Sequence, residues 1–317
     1  MMVKTIGMLS SYKNLGSRDW LWKQTPNHFG VWKNIQMLAT AKQPDLLLLY
    51  QYDFPSPQQS VSWWEKFKDR RNNKTEKIPN ILQKVPQEKI IFLLREPPLA
   101  EVIKRNQLNY QIASQYCGYI SGPDEFAPIP EFMPAIWYLR SSFAELNTGK
   151  VPEKQNICSW ITSGISRTEN HRKRLSFLRL LQDNHLKFDL YGRNLPDWSN
   201  SLGTVEDKWN AIAPYYYNLA IENYAENDLY VSEKLWDSLL GWCLPIYYGG
   251  SAADKLLPKG SFLRLPSLDE KGLAYIQEVT SSPDAWYEAK EKIAEARQII
   301  LHELNLLQWL SDFVEKF

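Results

Sequence analysis

Between Leu219 and Gly250 the chain reads LAIENYAENDLYVSEKLWDSLLGWCLPIYYGG. An apolar run ends in Glu222-Asn223, a polar loop follows, and Ser232-Glu233-Lys234 opens a short helix. A second apolar run, Leu244–Tyr248, ends in Gly249-Gly250. This is a β-loop-α-β unit, and its charged residues gather where the first strand gives way to the helix. In open α/β sheets that is where ligands bind. No other stretch of the chain constrains fold and function as narrowly.

The helix start has a physical basis. Ser232 is a good N-cap, whose hydroxyl can accept from an otherwise unpaired amide. Gly241 stands where a C-terminal glycine stop is expected. The helix N-terminus directs free N–H groups and a partial positive charge outward, and a lysine in that turn suits a phosphate. By spacing alone, Ser232-Glu233-Lys234 fits equally well a solvated first turn in which Glu233 complements the helix dipole.

The remaining pattern is also alternating. Val3–Leu9, Asp45–Tyr50 and Lys89–Leu94 read as strands, with a helix over Val31–Ala41 and another over Leu99–Ala113. The continuous apolar run at 46–50 suits a strand buried on both faces of a parallel sheet. Lys66–Lys84 reads as surface helix plus loop. Gly118–Pro134, rich in Pro, Gly and aromatics, reads as a loop near a cleft or junction. Asn147–Pro152 is the best linker. Beyond it, strands are expected at Asn156–Ile161, Lys187–Tyr191, Tyr215–Ile221, Leu244–Tyr248 and Ser261–Leu265, with a helix over Arg172–Leu181. A helical tail runs from Pro283 to Phe317. The expected architecture is α/β, with two Rossmann-type domains facing a cleft: residues 1–150, residues 151–282, and the tail 283–317.

A formal net charge of +1 over 317 residues leaves no footprint for bulk nucleic-acid binding. Three scattered cysteines lack metal-ligand spacing and fit a reducing compartment. No signal peptide or membrane-spanning run is evident, so a cytoplasmic setting is expected. The thirteen tryptophans suit carbohydrate contacts, although most belong in cores. Dinucleotide fingerprint, Walker loop, nucleophile elbow and His-pair metal site are all missing. His171, beside Arg172-Lys173-Arg174, reads as a solvated helix start rather than a base. Asp53 and Asp183-Asn184 read as turn residues, with no DxD-like cluster to hold a metal.

Taken together, Glu222-Asn223, Tyr230-Val231-Ser232-Glu233-Lys234 and Pro245-Ile246-Tyr247-Tyr248-Gly249 resemble the donor-binding signature of the glycosyltransferase family 10 α-1,3/4-fucosyltransferases. Further elements follow in the family's order: the Arg174-bearing helix, Asp189-Leu190-Tyr191-Gly192-Arg193, and Pro258-Lys259-Gly260-Ser261-Phe262. Over the first half the resemblance rests on Arg95-Glu96-Pro97-Pro98. The similarity covers about residues 155–270 well. Departures are Ser232 for the usual Thr, Tyr224 where the family has Ser, Asn194 after Gly-Arg, and a loop one residue longer.

The resemblance implies a GT-B-like double-Rossmann fold and inverting transfer of L-fucose from GDP-β-L-fucose to a hydroxyl of an oligosaccharide or glycolipid, such as a lipopolysaccharide. It implies no tightly bound cofactor and no protein-held metal, with divalent ions at most stimulatory. Position by position, Arg174 and Lys234 would contact the diphosphate, Glu233 the donor hydroxyls, and Asn223 and Tyr230 would line the nucleotide pocket. Arg193 would reach the nucleotide or only tie down a loop. Glu96 is the expected general base; the competing reading pairs it with Arg95 or Lys104, and Glu125 is the second candidate. The donor could instead be another sugar nucleotide, or the chain a non-catalytic nucleotide- or glycan-binding protein. The apolar residues Trp309, Leu310, Phe313, Val314 and Phe317 would pack back on the domains, with peripheral membrane contact as the alternative.

Overall fold

The computed structural model describes residues 3–12, 20–26, 30–55 and 80–316. Of the Lys66–Lys84 segment, positions 66–79 lie outside the described residues. The first sheet is built from β1 (Lys4–Leu9), β2 (Val31–Trp32), β3 (Ile35–Met37), β4 (Leu46–Tyr50), β5 (Ile90–Leu93), β6 (Tyr119–Gly122) and β7 (Ile129–Pro130). Its order is β2-β3-β1-β4-β5-β6-β7, parallel except for the β2–β3 pair. Helix α1 (Ile103–Ala113) follows β5, and α2 (Phe143–Thr148) closes this half behind a Ser142–Glu145 capping box.

The second sheet holds β8 (Asn156–Ser163), β9 (Asp189–Arg193), β10 (Tyr215–Ile221), β11 (Leu244–Tyr248) and β12 (Leu263–Arg264). Its order is β12-β11-β10-β8-β9, and every pairing is parallel. Its helices are α3 (Glu169–Asp183), α4 (Glu233–Leu240), α5 (Ala252–Leu256) and α6 (Glu270–Val279). The tail forms α7 (Asp284–Ile299), a π-helical turn at Ile300–Leu304, and α8 (Leu306–Val314).

The apolar run of β4 shows why the first sheet is covered on both faces. Side chains alternate along a strand, and all five β4 residues are buried. Leu46, Leu48 and Tyr50 enter one core cluster, while Leu47 and Leu49 enter the other. Full burial of such a leucine stabilises by about 2 kcal/mol, so neither face tolerates a polar slip in register.

Two expectations are corrected. Val31–Ala41 is not a helix but the β2–β3 hairpin, turning at Lys33, which takes a left-handed backbone with φ 47°. Ile35 and Met37 are buried with the less buried Gln36 between them, a period of two that a helix would not satisfy. Gly118–Pro134 is not all loop, because Tyr119–Gly122 extends the sheet beside β5 and Ile129–Pro130 pairs with it. Its Pro and Gly content hides a short strand whose pairing is long-range.

The tail joins the two halves. Helix α7 packs on β11 and α4, and α8 packs on β2 and β3. Trp32 Nε1 donates to Gln308 Oε1 at 3.1 Å, and Ser311 Oγ to Asn34 Oδ1 at 2.7 Å. Leu310, Phe313 and Val314 are buried there, and Tyr119 meets the Phe313 ring edge-on. Buried Arg297 donates to the carbonyls of Leu240 and Leu146 and stacks on Trp242 at 4.3 Å. No helix among the described residues is long and apolar enough to cross a membrane.

Candidate active site

The carboxyl ends of β5 and β10 meet the start of α4. A cavity of about 170 Å³ lies between them, lined by Tyr12, Arg95, Glu96 and Tyr138 from the first half and Asn223, Tyr230, Glu233 and Lys234 from the second. Asn223 is shared with a smaller recess of about 40 Å³ bounded by Asn170, Lys173, Tyr224 and Tyr248.

Glu222 organises the helix start. Fully buried at the end of β10, it accepts from Ser232 N–H at 2.8 Å and Ser232 Oγ at 2.6 Å. Ser232 Oγ in turn caps α4 by accepting from Lys234 N–H. Lys234 Nζ lies 3.1 Å from Glu222, 2.9 Å from Ser232 Oγ and 3.8 Å from Glu233. Burial is the largest influence on this ammonium and pulls it down, but the Glu222 and Glu233 charges outweigh it and leave it above its ordinary value. The result is a fixed cation at a helix N-terminus, on the cavity wall.

The loop that carries Tyr230 is held by close packing. Asn227 Oδ1 accepts from the Leu229 and Tyr230 amides, and its Nδ2 donates to Pro123 O of the first half at 2.6 Å. A Cβ on Gly250 would come within 1.8 Å of Asn227 O, so the Gly249-Gly250 strand end leaves room for this loop. Tyr230 itself is buried, and its phenol is pushed well above its ordinary value by burial and then by the Glu222 charge.

Arg174 comes from the first turns of α3 and is buried. It donates to Asn223 Oδ1, to Ser163 O at 2.8 Å and to Ile165 O at 3.4 Å. None of these partners carries charge, and its buried Nε has no partner among the described residues. Burial pulls this guanidinium down to about 10. A cation in such surroundings is costly unless an anion comes to it, and its Asn223 contact sets it directly behind the cavity wall.

A cross-cleft network completes the geometry. Arg95 Nη2 lies 2.9 Å from Glu233 Oε2, and Nη1 donates to Tyr138 Oη at 2.9 Å. Burial opposes the Glu233 charge, yet Lys234, then Arg95 and Lys208, more than offset it and hold the carboxyl far below its usual range. Behind it, buried Asp237 accepts from Tyr138 N–H at 2.8 Å and from Lys208 Nζ at 2.6 Å. The Tyr138 ring thus has two cations against it, Arg95 at 5.4 Å and Lys208 at 5.5 Å.

Of the residues singled out from sequence, Glu96, Asn223, Tyr230, Glu233 and Lys234 line one cavity, and Arg174 reaches it through Asn223. Arg193 does not line it; it is exposed at the end of β9, beside Ser163. Glu125 is exposed and outside the cavity lining. Glu96 makes no ion pair with Arg95 or Lys104 among the described residues, since Arg95 turns to Glu233. His171 is the reciprocal partner of Thr168 in the α3 capping box, with its imidazole pulled down by burial and then by Arg174. Tyr12, Gln51, Tyr138 and Asn227 escape the sequence reading. They sit in loops, and only folding brings them to the strand ends. Among the described residues no group of three or more His, Cys, Asp or Glu is arranged to hold a metal ion.

A family model described as "Glycosyltransferase family 10 (fucosyltransferase) C-term" matches residues 151–290. The chain is 27% identical over 154 residues to human alpha-(1,3)-fucosyltransferase 4, covering 46% of this chain and 26% of that protein. It is 26% identical over 226 residues to alpha-(1,3)-fucosyltransferase C of Drosophila melanogaster, covering 64% of this chain and 50% of that one. The chain therefore spans between a quarter and a half of these relatives' lengths. Among solved structures, an alpha-glucosyltransferase in complex with UDP and a 13-mer DNA superposes with TM-score 0.56 at 11% identity, covering 99% of each chain. A crystal structure of an alpha1,3-fucosyltransferase with GDP-fucose matches at TM-score 0.44 and 16% identity, covering 96% of this chain and 92% of that one. The match at TM-score 0.56 makes the two-sheet architecture one of GT-B type. Over residues 151–290, with the Glu222–Lys234 helix start at their centre, this chain is similar to glycosyltransferase family 10, the fucosyltransferase family.

Proposed function

We propose that the chain is an inverting glycosyltransferase that moves L-fucose from GDP-β-L-fucose to a hydroxyl of a glycan acceptor, in α-1,3 or α-1,4 linkage. One observation carries most of the weight. A buried arginine without a countercharge (Arg174) bonds to Asn223, which lines the same cavity as Lys234 from the first turn of α4, while a carboxylate (Glu96) lines that cavity from the first half of the chain. That arrangement suits a leaving nucleoside diphosphate on one side and an acceptor to be deprotonated on the other.

The chemistry follows from those roles. Glu96 takes the proton of the acceptor hydroxyl, whose oxygen attacks the anomeric carbon from the face opposite the diphosphate. The anomeric C–O bond breaks, and GDP leaves with the electron pair. Arg174 and Lys234 take up the developing phosphate charge, one as a fork and the other as a point charge. Glu233 accepts from donor hydroxyls, and Asn223 and Tyr230 bound the nucleotide pocket. Residues 151–282 would then form the donor-binding unit, residues 1–150 the acceptor-binding unit, and 283–317 the helical tail. We take the acceptor to be an oligosaccharide or glycolipid, such as a lipopolysaccharide, met in the cytoplasm or at the inner membrane face. We expect no tightly bound cofactor.

The test is nucleotide release from a panel of GDP- and UDP-sugars, with and without glycan acceptors. GDP-fucose is expected to turn over slowly with water alone and faster with the right acceptor, with α-fucoside as product. Turnover of a different donor alone would replace the donor assignment, and tight GDP binding without any turnover would make the chain a binding protein.

A further inference from the structure

Three neighbouring strands of the first sheet, β1, β4 and β5, deliver one residue each to a single point. Glu96 follows β5, Gln51 follows β4, and Tyr12 follows β1. Tyr12 Oη donates to Glu96 Oε1. Gln51 Oε1 accepts from two successive amides, Arg95 N–H at 2.8 Å and Glu96 N–H at 3.0 Å. Gln51 is itself buried in a left-handed backbone with φ 45°, and its carbonyl accepts from Ser11 N–H at 3.0 Å. So Gln51 ties the Tyr12 strand end to the Glu96 strand end, and Tyr12 then orients the carboxylate.

We propose that Tyr12 is a positioning residue for Glu96: its phenol anchors Oε1 and presents Oε2 to the acceptor hydroxyl. This rests on the function proposed above. A free glutamate samples several rotamers, and only some aim a lone pair into the cavity. One donor on Oε1, with Gln51 fixing the Glu96 backbone, removes most of that freedom before the acceptor arrives. Among the described residues Oε2 takes no protein hydrogen bond, so the proton-accepting atom stays open. Burial, and then the Glu96 charge, push the Tyr12 phenol far above its ordinary value, which keeps it a donor across the working pH range.

The experiment is a double-mutant cycle between Tyr12→Phe and Glu96→Gln, read as GDP-fucose hydrolysis with water as acceptor and as GDP binding by calorimetry. Tyr12→Phe keeps the ring and is expected to fold, which its thermal midpoint checks. It should lower kcat about 10-fold, with GDP affinity and the KM for GDP-fucose within about 2-fold of wild type, as loss of one charge-assisted hydrogen bond at the base predicts. In the Glu96→Gln background it should lower kcat no further. Wild-type kcat in Tyr12→Phe, or the same 10-fold loss in both backgrounds, overturns the inference alone. If wild type releases no GDP from GDP-fucose with water or with any glycan acceptor, or Glu96→Gln is as active as wild type, the function itself fails and the inference with it.

Discussion

Lys234 has two duties in this structure, and replacing it by alanine touches both. Toward the cavity it is the expected phosphate cation. Toward the core it neutralises Glu222, whose side chain has no exposure and which lies 3.1 Å away. Removing one partner of a buried pair costs about 3–5 kcal/mol because the other charge stays behind. Glu222 keeps its two hydrogen bonds from Ser232 in that case. We therefore place Lys234→Ala at the low end, about 3 kcal/mol less stable. Its inactivity would then be partly unfolding, and a loss of turnover alone would prove little about phosphate.

The separation is a second variant, Glu222→Gln/Lys234→Met, which removes both charges and nearly keeps the volumes. The amide oxygen introduced by Glu222→Gln can still accept from Ser232, and the methionine fills the lysine stem's space. Chemical denaturation should show stability restored to within about 1 kcal/mol of wild type. GDP affinity, measured by calorimetry, should stay weakened about 10- to 150-fold in this variant, the worth of one charged contact of about 1.5–3 kcal/mol. Wild-type stability in Lys234→Ala would refute the buried-pair argument. Wild-type GDP affinity in the charge-free double variant would refute Lys234 as a phosphate ligand.

Other expectations are simpler. Gly250→Ala should cost about 1–3 kcal/mol, because its Cβ would meet Asn227 O at 1.8 Å, and should weaken GDP binding by shifting the Tyr230 loop. Unchanged denaturation and binding would show that the loop gives way freely. The depressed Glu233 carboxyl contributes stability that is complete above its unfolded value of about 4.3 and is lost as pH falls through the folded one. The stability gap between wild type and Glu233→Gln should thus be full at pH 7 and shrink progressively on acidification below about pH 4. A gap constant down to about pH 2 would contradict the Arg95–Glu233 and Lys234–Glu233 pairing. Arg193→Ala, at an exposed strand end outside the cavity lining, should leave GDP affinity within about 2-fold of wild type by calorimetry; a loss of about 10-fold would return it to the donor site.

What is legible in the sequence is what repeats locally. The β4 leucines, the Ser232 cap with its Gly241 stop, and the parallel strands of the second sheet are specified within a few residues each. Val31–Ala41 misleads because its scattered apolar residues fit two periods in a short window, and only the Lys33 turn decides between them. The Glu222–Lys234 contact is hidden for a different reason. The sequence motif places Glu222 among residues pointing at ligand, yet its carboxylate is spent on Ser232 and Lys234.

That last point shifts the logic of the motif. Glu222, Ser232 and Lys234 form one buried unit, in which the acid sets where the lysine stands and the serine joins acid to helix. The separation of Glu222 from Lys234 in the chain is then fixed by two demands at once. The loop must be long enough to bring Asn227 to Pro123 and Tyr230 to the cavity wall, and short enough to return Ser232 to the end of β10. A residue added within this loop can be absorbed on its exposed side, at Glu226 or Asp228, without moving the lysine. The identity of Glu222 cannot be relaxed in the same way, because a neutral residue there leaves Lys234 half-buried beside only Glu233, which Arg95 already holds. The acid at the strand end therefore belongs to the cation's support, and the proposed anion-binding surface begins one residue later, at Asn223, where the uncompensated Arg174 arrives.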